Sequence, residues 1–308
     1  MDYHYIQLPS IIMKQIFYTA RLLFTLTLAS SCLILNGQDI PKKIATEICN
    51  CVDTLENMDS LEAKVDRCAQ QGMEAVIEAS SDEIQEIYSS EDAVEEAISK
   101  AMESLMGSCP KIRKFVIQDR KQKFYTKSAS AEANKYFEDG NDLFGKNDYK
   151  GALKLYSKAL KSDPNYIYAI DNTGLAYRKM GDTKKAIKFY KKSLDIYPEG
   201  SFALKNLGYA YSLSNDFQDA MLCYQKLAFF YPDDPEGYFG IGKLFVATGQ
   251  YETAIDYIFT AHRIYKATGS EYSTDSEKMI SVIYNKLREQ NKLDTFNQKA
   301  SEYGINYN

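Results

Sequence analysis

The sequence predicts an all-α chain: a solenoid of about four helix-turn-helix units plus C-terminal capping helices, preceded by a small cysteine-containing helical domain. Three observations predict it. Gly140, Gly174, Gly208 and Gly242 stand 34 residues apart, and Ala152, Ala186, Ala220 and Ala254 follow them by twelve. Leu143, Tyr177, Tyr211 and Phe245 come three residues after the glycines, and Tyr156, Tyr190, Tyr224 and Ile258 sixteen after. Pro164, Pro198 and Pro232 close three units at one offset, where Lys266 closes the fourth. A fixed interval of this length marks stacked supersecondary units.

Taken in order, the chain opens with Lys14 and Arg21, then fourteen uncharged, mostly apolar residues from Leu22 to Leu35, then Asn36-Gly37-Gln38-Asp39. That stretch is shorter than the roughly 20 residues a spanning helix needs, and it has the length of a signal-peptide core. We expect residues 1–37 to be a signal peptide cut after Gly37, a pattern that resembles exported proteins of the Bacteroidetes. An uncleaved anchor is the alternative. Met13 is an alternative start, and Leu28-Ala29-Ser30-Ser31-Cys32 is a loose lipidation box. The expected location is exported: periplasmic, associated with the outer membrane, or secreted.

Residues 38–117 are expected to form an acidic helical domain. From Asp39 to Pro110 there are seventeen acidic and five basic residues, whereas from Lys111 onward there are twenty-four and thirty. Ile44, Ile48, Val52 and Leu55 keep helical spacing, as do Leu61, Val65, Cys68 and Ala69, then Val94, Ala97, Ile98, Ala101, Met102 and Leu105. Cys49, Cys51, Cys68 and Cys109 fall here. In an exported small domain an even set of cysteines reads as disulfides. Residues two apart on a helix face different ways, so Cys49 does not pair with Cys51. Two pairings stay open: 49–68 with 51–109, or 49–109 with 51–68. Zinc is disfavoured because one residue, not two, separates Cys49 from Cys51. A basic linking helix is expected over 118–132, after Pro110 stops the helix before it.

Residues 133–268 hold four units: 133–166, 167–200, 201–234 and 235–268. A glycine or alanine lets one helix lie against its antiparallel partner, and the aromatics fill the space on either side. Each X-Pro pair ends a hairpin, since proline cannot continue a helix and holds the residue before it extended. The turns fall near Lys146-Asn147-Asp148, Gly181-Asp182, Asn215-Asp216 and Gly249-Gln250. The pattern of Gly140, Ala152, Tyr156 and Pro164, and of its three successors, resembles the tetratricopeptide repeat. Residues 269–308 should cap the last exposed face, with Met279, Ile280, Ile283, Tyr284 and Leu287 on one side of a helix.

Chemistry is thinly signalled. His262 is the one histidine beyond the N-terminal segment, expected as a partly exposed helical residue, and no H-E-x-x-H or G-x-S-x-G is present. Gly237 to Lys243 matches the start of a phosphate loop, but Leu244 stands where Ser or Thr would hold magnesium. Cys223 is expected to be a buried small hydrophobe. We therefore expect no enzyme activity and no cofactor or metal. Charges look mixed along the helices, so nucleic acid is not expected as a partner, nor is a small-molecule substrate; membrane contact is expected only through an anchor.

The resemblance implies that the first helix of each pair lines a groove for a peptide or protein. By position it would present Asn134, Phe137 and Asn141; Tyr168, Asp171, Asn172, Leu175 and Arg178; Phe202, Lys205, Asn206, Tyr209 and Ser212; and Glu236, Phe239, Lys243 and Val246. A variant of the family grips a C-terminal carboxylate with a clamp of Lys, Asn, Asn, Lys and Arg. Phe137, Asn141, Asn172, Phe202 and Asn206 hold those positions here, so the cations of the clamp are missing. The expected function is a non-enzymatic interaction module or scaffold in the cell envelope. A structural spacer or assembly subunit is the alternative, and a thiol redox protein using Cys49 and Cys51 is a third.

Overall fold

The computed structural model describes residues 40–53, 61–80, 82–87 and 91–306, and among them every regular element is an α-helix. The signal segment, the lipidation box and Leu55 lie outside the described residues, as do the side chains of Leu61, Val94, Ile98 and Met102. The chain divides into two compact units, one ending at Val116 and one beginning at Ile117.

The first unit contains α1 (Ile40–Asp53), α2 (Leu61–Glu78), the short α3 (Asp82–Ile87), α4 (Glu91–Ser108) and the beginning of α5 (Pro110–Phe124). Ile40, Ile44, Ile48 and Val52 form one buried stripe of α1, packed with Val65, Cys68, Ala69 and Met73 of α2 and Ala97, Ala101 and Leu105 of α4. Cys49 is bonded to Cys109 across a Cα separation of 5.5 Å, and Cys51 to Cys68 across 5.6 Å. This selects the second of the two pairings left open. The cause is α1's position between α2 and α4: residues two apart on one helix face different neighbours. Lys111 Nζ donates to the Val52 carbonyl at 3.0 Å, occupying an acceptor at the end of α1.

Pro110 both interrupts and restarts the helix. It is the first residue of α5, where its missing N–H costs nothing. The basic linking helix expected over 118–132 is corrected by this: those residues comprise the end of α5, a non-helical stretch from 125 to 130, and the start of the next helix.

In the second unit α6 (Ala131–Gly145) pairs with α7 (Tyr149–Ser162), α8 (Ile167–Lys179) with α9 (Thr183–Ile196), α10 (Ser201–Leu213) with α11 (Phe217–Phe230), and α12 (Pro235–Ala247) with α13 (Tyr251–Ala267). The 34-residue interval recurs in the backbone. Asn147, Gly181, Asn215 and Gly249 each take positive φ, between 60° and 81°, at the turn of successive hairpins. Glycine and asparagine tolerate that region best. Asp148 and Asp182 then accept the N–H of Gly151 and Lys185, capping α7 and α9.

The small residues work by contact. A Cβ at Gly140 would lie 2.6 Å from Tyr156, one at Gly174 2.7 Å from Tyr190, one at Gly208 2.9 Å from Tyr224, and one at Gly242 2.5 Å from Ile258. The glycines that mimic a phosphate loop belong to the same scheme. Gly240 meets the ring of Tyr224 in the preceding repeat, and a Cβ on Gly237 would be 2.6 Å from the Ala228 amide. Ala152, Ala186, Ala220 and Ala254 are all buried beside these contacts, as are Tyr156, Tyr190 and Tyr224, with Tyr177 and Tyr211 half-buried.

Consecutive first helices also touch: α8 with α10, α10 with α12, and α12 with α14 (Ser273–Glu289). They form a continuous inner layer, with the second helices outside it. Ile280, Ile283 and Leu287 of α14 and Phe296 and Ala300 of α15 (Leu293–Tyr303) cover Ala254, Ile255, Ile258 and Phe259. This capping also corrects the place of His262. It is buried, and its Nδ1 lies 2.8 Å from the Ser276 hydroxyl of α14. Burial lowers its pKa below the usual imidazole value.

Candidate peptide-binding face

The inner layer divides into a part satisfied from within and a part left open. In the first part Asn141 accepts from the Tyr156 hydroxyl and from Asn172 Nδ2, each at 2.8 Å. The two asparagines therefore bind each other across consecutive repeats. Asn134 holds the backbone of Ser128, and Phe137 packs among Tyr156, Tyr166 and Tyr168.

The end of α5 occupies the neighbouring positions. The Tyr125 hydroxyl donates to Asp171 Oδ2, and its ring meets Tyr168 edge-on at 5.0 Å. The Tyr168 hydroxyl donates to the Tyr125 carbonyl at 3.3 Å. Arg120 Nε lies 3.0 Å from Glu199, which is 3% exposed, and the Tyr197 hydroxyl donates to the Ile117 carbonyl at 3.2 Å. Tyr231 donates to the Glu199 carbonyl at 2.7 Å. Asp171 and Tyr168, expected in the groove, thus receive a segment of their own chain.

Asp171 is 2% exposed, and its Oδ1 has no hydrogen-bond partner. Burial raises its pKa to about 6, against the opposing pull of the Tyr125 and Ser193 hydroxyls. A low-dielectric site disfavours the charged carboxylate unless donors surround it, and here they only partly do.

The open part spans α8 to α12. Arg178 lies with its guanidinium 5.0 Å from the Tyr209 ring, and its Nε is buried without a partner. Tyr209 is 38% exposed. Lys243 is exposed, with its amine 5.5 Å from the Phe239 ring. Lys205, Phe202 and Val246 are half-buried. Asn206 is taken up locally, donating to the Phe202 carbonyl at 2.8 Å, and Ser212 donates to the Gly208 carbonyl at 2.8 Å. Glu236 accepts from the Tyr265 hydroxyl at 3.2 Å. Two cation–aromatic pairs and a half-buried lysine thus lie on this face, with exposed Lys243 and Tyr209 at its surface and Arg178 partly buried beside Tyr190.

Sequence reasoning missed Arg120 and Tyr125, because a segment outside the repeats gives no periodic sign of where it docks. It also took the charges to be evenly mixed. That is corrected by α7 and α9, whose exposed sides are lined with lysine. The sign was present in the repeat register itself.

The fold defines a class, an α-helical solenoid of paired helices whose first helices form the inner layer. Residues 133–199 match the tetratricopeptide repeat family. No curated protein matches the chain. Among solved structures it is similar to MamA from Desulfovibrio magneticus RS-1 at 15% identity, covering 57% of this chain and 95% of that one, with a TM-score of 0.48. It is also similar to a tetratricopeptide repeat protein from Parabacteroides merdae at 18% identity, over 56% of this chain and 67% of that one, with a TM-score of 0.46. The Sgt2 TPR domain from Aspergillus fumigatus matches at 23% identity, over 39% and 80%, with a TM-score of 0.37.

Proposed function

We propose that the chain is an exported interaction module of the cell envelope. Its inner face from α8 to α12 binds a peptide or protein segment bearing acidic and aromatic or large apolar side chains. The observation that carries this is the set of exposed Tyr209 and Lys243 with half-buried Arg178 and Lys205, beside Phe202 and Phe239. Cations and rings without a competing carboxylate favour acidic residues for charge and apolar ones for area. The neighbouring positions of the first two repeats support the face instead of binding, since Asn141, Asn172 and Asp171 are engaged internally.

Export explains the cysteine chemistry, because paired thiols persist in oxidising compartments. A redox role for Cys49 and Cys51 is not favoured, because each is bonded to a separate distant partner. A photo-crosslinker at Tyr209 or Lys243 in the full chain should capture one envelope protein, and the same group at exposed Lys135 should not. Arg178→Ala should weaken capture about tenfold, or ~1.4 kcal/mol. Equal capture from Lys135, or no change in Arg178→Ala, would refute the assignment.

A further inference from the structure

The outer face carries a pattern that peptide binding leaves unused. Lys150, Lys154 and Lys158 of α7 return one repeat later as Lys184, Lys188 and Lys192 of α9. Residues four apart share one side of a helix, and this side is opposite buried Ala152, Tyr156 and Ala159. Lys161 and Lys191 extend the two rows. All but Lys192 are exposed. α7 contains no acidic residue, α9 contains only Asp195, and neither contains arginine.

Among the described residues Lys150, Lys154, Lys161, Lys184, Lys188 and Lys191 have no ion-pair partner; Lys185 pairs with Asp182 beside them. Like charges four apart work against a helix. Such rows, in a chain whose net charge is −5, are not a by-product of composition.

At the same repeat positions α11 changes chemistry. Gln218, Leu222 and Lys226 continue the series, and Phe229 takes the position held by Lys161 on α7 and by Asp195 on α9. Leu222 and Phe229 are 39% and 41% exposed. The series then ends on α13, where Glu252 and Asp256 take these positions and pair with Lys292 and Lys299 of the cap.

We propose that the outer side of α7, α9 and α11 docks on an anionic lipid bilayer surface. The lysine amines would sit at headgroup phosphate level, with Leu222 and Phe229 entering the interface beside them. Lysine is a point charge on a flexible stem that reaches past apolar contacts, whereas reading phosphates in a fixed geometry favours arginine, which both lysine-bearing helices lack. Exposed apolar residues in register with the lysines suit a bilayer better than a nucleic acid, and basic rows on helices attract anionic lipid. This surface is separate from the inner face and does not depend on the peptide-binding assignment.

The test uses the full chain carrying Cys32→Ser, with an environment-sensitive fluorophore on Gln218→Cys, so that the readout reports this face and not the apolar N-terminal stretch. Cys223 is buried with its thiol pushed up to about 12, which leaves it unlabelled. Vesicles of phosphatidylcholine containing phosphatidylglycerol should blue-shift the probe, vesicles of phosphatidylcholine alone should not, and high salt should abolish the shift. Lys154→Glu with Lys188→Glu should weaken binding about tenfold or more, with unchanged circular dichroism. Leu222→Ser with Phe229→Ser should weaken it while keeping the salt dependence. A probe on Lys243→Cys should stay unshifted.

Equal response to neutral vesicles would overturn the proposal, as would full binding by the Lys154→Glu, Lys188→Glu chain. So would lysine-dependent self-association without lipid, which would assign the face to the acidic unit of a second copy. Tighter binding of DNA than of the anionic vesicles would assign it to nucleic acid.

Discussion

At the residue scale the account rests on a few side chains that touch in known ways. Gly174 is one. An alanine there would place its methyl against the fully buried Tyr190 ring, which is enclosed by its repeat and cannot yield cheaply. Gly174→Ala should cost about 1–3 kcal/mol in a urea titration, despite alanine's better helix propensity. An unchanged midpoint would mean that the glycine does not set the helix separation. Asp171 is the other. Its folded pKa, raised to about 6, lies above the roughly 3.9 of an unfolded aspartate. The folded chain therefore holds this proton more tightly, and the stability it contributes is fully present below about pH 4 and lost as pH rises through about 6. Asp171→Asn should remove that fall, which for a shift of this size is up to about 3 kcal/mol. Parallel pH profiles for both chains, followed by chemical denaturation, would contradict the assigned burial.

At the element scale each helix has a source that the sequence displays to a different degree. The hairpins were legible because one contact, a glycine under an aromatic ring, is repeated at a fixed interval and the turn residue recurs with it. Asn147, Gly181, Asn215 and Gly249 show that register as positive φ. The acidic unit was less legible: apolar spacing gave its main helices, but the pairing of its cysteines depends on which helices flank α1, and that is a tertiary fact. Reduction of these bonds should destabilise the first unit by about 2–4 kcal/mol and leave the repeats largely unaffected. Hydrogen exchange with and without reductant checks this: faster exchange confined to residues before Val116 is expected, and unchanged exchange in α1 and α4 would deny the bonds a structural role.

At the scale of the whole chain, the repeat pattern implies a groove along the first helices, and several residues expected in it are engaged within the chain. Asn141 and Asn172 read as open amides because each lies on a first helix, yet their closest match is each other. Tyr168 and Asp171 stand at groove positions of the repeat, yet Tyr125 supplies their contact. No periodic pattern reveals such an occupant. What remains open is Arg178, Lys205, Tyr209 and Lys243, on helices long enough to contact an extended segment. The most direct measurement is selection of peptides from a random library by the full chain, repeated with Tyr209→Ala and Lys243→Glu. Enrichment of acidic peptides with aromatic or large apolar residues, lost in both variants, is the predicted result; no enrichment, or the same peptides retained by both variants, would contradict it.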